Sequence, residues 1–228
     1  MLNVMEIFKS FSGEVCSFHQ GRRCTFIRLA GCNLKCDYCD TKESQKAKGT
    51  PFQAVEIFNQ VNDLNSKYVI ITGGEPLLQM EPLRDLVLLL LNNKFQVNIE
   101  TNGTFIIPDW TMPGNYGWVK DKKPTWIVDY KFQYADQMTK SFYSLSDKDW
   151  IKFVIKTEND LLRAVIIQKD IEFARKIDVI KGCRNFAYSL LSTKDGGQVP
   201  ASQVLSYFKN HSVDAVLNVQ IHKMINMP

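Results

Sequence analysis

The chain has 228 residues, a net charge of +4, 45% apolar and 11% aromatic residues. That length fits one domain, 1–228, and that composition fills a core and excludes a disordered chain. The positive charge is spread rather than blocked, which argues against a nucleic-acid partner. No apolar run approaches the roughly 18 residues needed to span a bilayer. The start, "MLNVMEIFKS", has no basic, apolar and cleavage regions of a secretory signal, so no membrane role and a cytoplasmic location are expected.

In chain order, "CTFIRLAG" (24–31) reads as a strand that ends at three cysteines. Thr50 and Pro51 read as the N-cap and first residue of a helix whose apolar positions are Phe52, Val55, Ile57, Phe58 and Val61. Residues 67–76, "KYVIITGGEP", read as a buried strand running into a glycine turn, and 81–93 as a helix. A third strand, 95–103, ends in "ETNG". After an irregular stretch at 106–125 come strands at 126–132 and 149–156, a helix at 158–176 and a strand at 185–192. A helix near 200–210 and a last strand at 215–222 close the series. Strands separated by helices imply βαβ units and a parallel sheet, with ligands at the carboxyl ends of the strands. The polar motifs "GGEP", "ETNG", "DYK" and "HK" all fall there.

The cysteines pose the chemical question. Cys32, Cys36 and Cys39 lie in "GCNLKCDYCD", spaced CxxxCxxC. Cys16, Cys24 and Cys183 stand apart and read as ordinary buried thiols. Structural zinc wants four ligands, usually two pairs from separated segments, and no histidine lies in this cluster; His19 belongs to another segment. A redox pair of Cys36 and Cys39 leaves Cys32 without a role. An iron–sulfur cubane has four irons, so three thiolates leave one iron open to a small molecule.

With this spacing in a loop after the first strand, and with "TGGEP" (72–76) after the next, the chain resembles the radical S-adenosylmethionine (SAM) superfamily. The resemblance implies that Cys32, Cys36 and Cys39 hold a 4Fe-4S cluster and that SAM chelates its open iron. One electron then breaks the sulfonium bond, and the 5′-deoxyadenosyl radical takes hydrogen from the substrate.

Within that superfamily, "FKSFSGEV", "RLAGCNLKCDYCDT", "ITGGEPLLQ", "IETNGT", "DYK" and "VQIHKMINMP" are similar to the 7-carboxy-7-deazaguanine synthase family, over residues 8 to 228. The fold this implies is α/β, a partial (open) TIM-type barrel of about six mostly parallel strands, the reduced radical SAM core. The reaction it implies is Mg²⁺-dependent contraction of 6-carboxy-5,6,7,8-tetrahydropterin to 7-carboxy-7-deazaguanine with loss of ammonia, in queuosine and 7-deazapurine biosynthesis. By the same resemblance Tyr38 to Asp40, Gly73, Gly74, Glu75, Asp129, Tyr130 and Lys131 contact SAM, with Glu75 on its amino group. Phe11, Ser12, Gly13 and Glu14 line the pterin. Arg28 pairs with the substrate carboxylate, Thr41 binds Mg²⁺, Thr72 touches substrate, and His222 with the terminal carboxylate of Pro228 closes the pocket. A homodimer and an electron donor such as flavodoxin are implied as well.

The chain departs from the family at one point. The family has "QGEG" where this chain has "SGEV", Ser12 to Val15, with about two extra residues before Arg28. Serine cannot reach as far as glutamine, so the pterin contact there differs or passes through water. Two other readings stand beside the enzyme: a radical SAM activase of a glycyl-radical protein, and a non-catalytic iron–sulfur or zinc module.

Overall fold

The computed structural model describes residues 1–46, 48–110, 123–139, 143, 145–180, 183–192 and 196–224, the side chains of 222 and 223 excepted. The chain forms two compact units, one of residues 1–101, 108–125 and 222–228, the other of 102–107 and 126–221. Among the described residues no helix is long and apolar enough to cross a membrane.

The first unit carries β1 (Leu2–Phe11), β2 (Arg23–Leu29), β3 (Thr50–Phe52), β4 (Tyr68–Gly73) and β5 (Gln96–Thr101), in the sheet order β3-β1-β2-β4-β5. β2, β4 and β5 run parallel, while β1 is antiparallel to both β2 and β3. Strand register divides this sheet into two faces. Ile27, Leu29, Val69, Ile71, Val97 and Ile99 are buried on one face. α1 (Ala54–Asp63) buries Ile57 and Val61; α2 (Met80–Asn92) buries Leu83, Leu86, Val87, Leu90 and Leu91. The other face bears Glu6, Arg28, Thr72 and Glu100, and it is the polar one.

The second unit carries β6 (Thr125–Lys131), β7 (Trp150–Ile155), β8 (Asn185–Leu190) and β9 (Val216–Asn218), all parallel, with α3 (Glu158–Lys176) and α4 (Ala201–His211) as crossovers. Phe153 on β7 is fully buried and stacks on Phe186, with ring centroids 6.3 Å apart. α3 opens with a reciprocal capping box: Thr157 Oγ1 accepts from the Asp160 N–H, and the Asp160 carboxylate accepts from the Thr157 N–H.

Among the described residues neither unit's sheet closes on itself, and the parallel βαβ pattern is the expected open α/β class. The expected strands at 24–31, 67–76, 95–103, 126–132, 149–156 and 185–192 fall on β2 and on β4 through β8. Three details differ. Thr50 and Pro51 do not start a helix but lie in β3, paired with Val4 and Asn3. Proline has no N–H to give to a ladder, and the edge of the sheet is where that loss is tolerated. α1 starts later, at the capping box of Gln53 and Glu56. β1 has no counterpart in the sequence reading. A bulge between Val4 and Glu6 shifts its register and breaks the alternation that marks a strand. The last strand is shorter than 215–222. Its partner β8 ends at Leu190, so the ladder stops at Asn218, and His222 falls in α5 (Ile221–Met224).

Candidate active site

The cysteine loop leaves β2 and ends in a 3₁₀ turn, Lys42–Gln45. Cys36 and Leu34 are buried, while Cys32 and Cys39 are part exposed. The loop is pinned at its root by main-chain hydrogen bonds. Gly31 N donates to Ser44 O at 2.7 Å, Glu75 N to Gly31 O at 2.7 Å, and Gly74 N to Leu29 O at 3.0 Å. The two glycines of "GGEP" make that approach possible. A Cβ on Gly74 would lie 1.8 Å from Gly31 O, and one on Gly73 2.2 Å from Leu29 O; Gly73 also has φ +128. What they admit closely in this structure is the backbone of the cysteine loop.

Among the described residues no three His, Cys, Asp or Glu side chains converge as a site for one metal ion. A cubane does not ask for convergence on a point, because each thiolate takes a different iron. Three cysteines from one loop, two of them part exposed, are a donor set that fits such a cluster with one iron left open.

Glu75 is fully buried. Its Oε1 accepts from Leu77 N at 2.9 Å, capping the 3₁₀ turn Pro76–Gln79, and from Thr101 Oγ1 at 2.8 Å. The carboxylate expected on the SAM amino group therefore ties the ends of β4 and β5 together as well. Thr41 precedes the 3₁₀ turn of the cysteine loop. Its Oγ1 accepts from Ser44 Oγ at 3.1 Å and lies 4.0 Å from Cys39 Sγ. Tyr38 is part exposed and Asp40 exposed in the same loop.

On the polar face of the first sheet, neighbouring strands set Glu6, Arg28 and Thr72 in register, and Thr72 Oγ1 donates to Glu100 Oε2 at 2.8 Å. Arg28 Nε donates to Glu6 Oε1 at 2.6 Å. Ser12 is spent elsewhere. Its hydroxyl is fully buried, donates to His19 O at 2.8 Å and accepts from Arg22 N at 3.0 Å, closing the loop 12–22. Gly13 O accepts from Gln20 Nε2 at 2.8 Å, Val15 is buried, Glu14 is part exposed and Phe11 exposed. The same loop caps the amino ends of the strands: Ser17 N donates to Asn98 Oδ1 at 2.9 Å, and Phe18 packs on Tyr68 with centroids 4.8 Å apart. The departure from "QGEG" thus has a physical content. The serine holds its own loop, and the valine joins the core.

In the second unit, Asp129 on β6 lies between two ammonium groups. Lys131 Nζ is 2.9 Å from its Oδ2 and Lys152 Nζ 2.9 Å from its Oδ1, and Lys152 is almost fully buried. Burial pushes the Asp129 carboxyl up, but the two lysines outweigh it and hold it below the usual carboxylate range. The cluster of two cations and one anion keeps a net positive charge, suited to an anionic group. Tyr130 is buried, packed on Phe132 and Phe153. Pro228 and the side chain of His222 lie outside the described residues.

Three residues at these positions escaped the sequence reading. Lys152 left a signal: a lysine inside the apolar strand "WIKFVI" is a buried charge that needs a partner. Glu6 sits on the strand that was not recognised. Glu100, within "IETNG", was recognised with its motif but given no role. The three isolated cysteines are buried. Burial raises the Cys16 thiol and pushes Cys24 and Cys183 up to about 12, so all three stay protonated at neutral pH.

The model of the radical SAM superfamily matches residues 26–111. The chain is 32% identical over 232 residues to the 7-carboxy-7-deazaguanine synthase of Clostridium acetobutylicum, covering 99% of this chain and 96% of that one. It is 32% identical over 228 residues to the enzyme of the same name from Methanospirillum hungatei, covering 100% of this chain and 86% of the other. Among solved structures, QueE from Escherichia coli superposes with a TM-score of 0.66 over 96% of this chain and 93% of that one. Its sequence identity is 20%, and the likeness is one of fold.

Proposed function

The chain belongs to the 7-carboxy-7-deazaguanine synthase family of radical SAM enzymes, and we propose that it carries out the reaction of that name: contraction of 6-carboxy-5,6,7,8-tetrahydropterin to 7-carboxy-7-deazaguanine with loss of ammonia. The observation that carries the reading is the cysteine loop locked by main-chain hydrogen bonds onto the "GGEP" turn, beside the row of Arg28 and Thr72. A loop so fixed presents three thiolates from one rigid place. A non-catalytic module has no use for that row.

Cys32, Cys36 and Cys39 would hold the 4Fe-4S cluster. When bound, such a cluster would supply the single electron for reductive cleavage of the SAM sulfonium bond, the source of radical chemistry on the substrate. The chain's own groups bind, orient and shelter. Gly73 and Gly74 keep the loop at its depth. Glu75 offers its remaining acceptor capacity to the SAM ammonium, and Tyr38 and Asp40 line the same loop. Asp129, Tyr130 and Lys131 serve the cofactor, with Lys152 balancing the Asp129 charge. Arg28 takes the substrate carboxylate, since a guanidinium fork matches it in shape and charge. Thr72 and Glu100 present a hydroxyl and a carboxylate to the guanidine-like edge of the pterin. Gly13, Glu14 and Phe11 flank it, and the roles expected of His222 and Pro228 fall outside the described residues. Thr41 brings one neutral oxygen toward Mg²⁺, so that ion leans on water and on the substrate carboxylate.

A second reading, a related carboxylated small molecule, is favoured at one point: the one proton of the Ser12 hydroxyl is spent on His19 O and the side chain is fully buried, so it does not reach the pterin contact expected there. The test separates the two. Anaerobically reconstituted protein is given SAM, reductant, Mg²⁺ and 6-carboxytetrahydropterin, and products are read by mass spectrometry. 7-Carboxy-7-deazaguanine supports the first reading. 5′-Deoxyadenosine without it supports the second. Survey of flavodoxins as reductant, and of mass in solution for a homodimer, belongs to the same preparation.

A further inference from the structure

Arg28 is held in an unusual way for a residue that is to receive a ligand. Glu6 stands opposite it on the β1–β2 ladder and accepts from Nε at 2.6 Å. The Phe8 ring lies against the guanidinium, its centroid 5.6 Å from Cζ. Among the described residues nothing accepts from Nη1 or Nη2. A guanidinium has two edges that can bind a carboxylate with two parallel hydrogen bonds, one through Nε and one through the two Nη groups. Glu6 takes the first. The second is left open, on the polar face of the sheet, next to Thr72 in register. The Arg28 side chain is 19% exposed and that of Glu6 52%, so Glu6 is the more exposed partner of the pair.

We infer that Glu6 is a positioning residue for the substrate carboxylate: it fixes the plane of the Arg28 guanidinium from behind, against Phe8, so that the paired Nη groups meet the 6-carboxylate of the pterin. This rests on the assignment of that carboxylate to Arg28 under the proposed function. Glu6 also carries a negative charge near an incoming anion. Its half exposure screens that repulsion. What matters at position 6 is therefore an acceptor, more than a charge.

The test is steady-state kinetics on reconstituted wild type, Glu6→Ala and Glu6→Gln, with 6-carboxytetrahydropterin as substrate and tetrahydropterin, which lacks the carboxylate, as competitor. Loss of a ground-state contact raises KM and spares kcat, so Glu6→Ala raises KM about tenfold with kcat within about twofold. Glu6→Gln keeps an acceptor and stays within about threefold of wild type in both constants. The inhibition constant of tetrahydropterin is the same in all three. Unchanged KM in Glu6→Ala overturns the inference, as does a Glu6→Gln as impaired as Glu6→Ala. So does a tetrahydropterin constant that rises in step with KM, which would mark a general structural defect. A wild type that makes no product overturns the proposed function itself, and the inference falls with it.

Discussion

Replacing Gly74 with alanine sets a methyl group 1.8 Å from Gly31 O, 2.4 Å from Gly31 C and 2.7 Å from Ser44 O. All three atoms are main chain, so no side chain can swing aside. Reaching ordinary contact at 3.4 Å requires the "GGEP" turn and the root of the cysteine loop to part by about 1.6 Å. The bonds that cross this seam, from Glu75 N to Gly31 O at 2.7 Å and from Gly74 N to Leu29 O at 3.0 Å, do not survive that separation. Each buried group left without its partner costs about 1–3 kcal/mol, so the pair costs about 3–5 kcal/mol. For a chain of this length that lowers Tm by roughly 10 °C.

The assay is thermal unfolding followed by circular dichroism, with iron content after anaerobic reconstitution as a second readout. Gly21→Ala is the control. Its Cβ would meet nothing within 4 Å, and only φ +81 opposes it, a cost of about 1–2 kcal/mol. Gly74→Ala should therefore fall well below Gly21→Ala in both stability and iron. A Gly74→Ala protein that melts with wild type and fills with iron refutes the reasoning, because the close approach would then be slack.

Other consequences follow from burial and charge. Asp129→Asn leaves the Lys131 and Lys152 ammonium groups without their counter-ion, a loss of about 3–5 kcal/mol by denaturant titration at neutral pH. Because folding depresses the Asp129 pKa, its contribution is complete above the ordinary aspartate value of about 3.9 and is lost as pH falls through the lower folded value. The gap between wild type and variant should be level from about pH 5 to 8 and narrow below about pH 4, and a gap that narrows near neutrality contradicts the assignment. Ser12→Ala unties His19 O and Arg22 N and should cost about 1–3 kcal/mol. Ser12→Gln, the residue of the family pattern, should cost more, since the site is fully buried; a stabilised Ser12→Gln would show that the loop is not closed as described.

The parts of the fold visible in the sequence were those with clear end signals or unbroken apolar runs. α3 is bracketed by a capping Thr157 and a basic last turn, and the buried strands β4 and β7 read as apolar runs. β1 was hidden by its bulge, and β3 by a proline that suits a helix start and a sheet edge equally. The cysteine motif was legible because three thiols in eight residues demand an explanation on chemical grounds alone. The use made of "GGEP" was half legible. Sequence shows that glycine permits a close approach, and only the fold shows that Gly31 is what approaches. Ser12 is the opposite case, a residue matched to a substrate role by its place in a motif whose hydroxyl tertiary structure had already consumed. Glu6 and Lys152 act through partners far away in sequence, Arg28 and Asp129, which no local pattern reveals.

The account stands on one set of thiolates, and the most direct measurement is iron, acid-labile sulfide and SAM cleavage in the six cysteine variants made one at a time. The wild-type chain should hold about four irons and reductively cleave SAM to 5′-deoxyadenosine. Both are lost in Cys32→Ala, Cys36→Ala and Cys39→Ala and retained in Cys16→Ala, Cys24→Ala and Cys183→Ala. A wild type that holds zinc and no iron, or iron that survives loss of any of the first three cysteines and vanishes with one of the others, would contradict it.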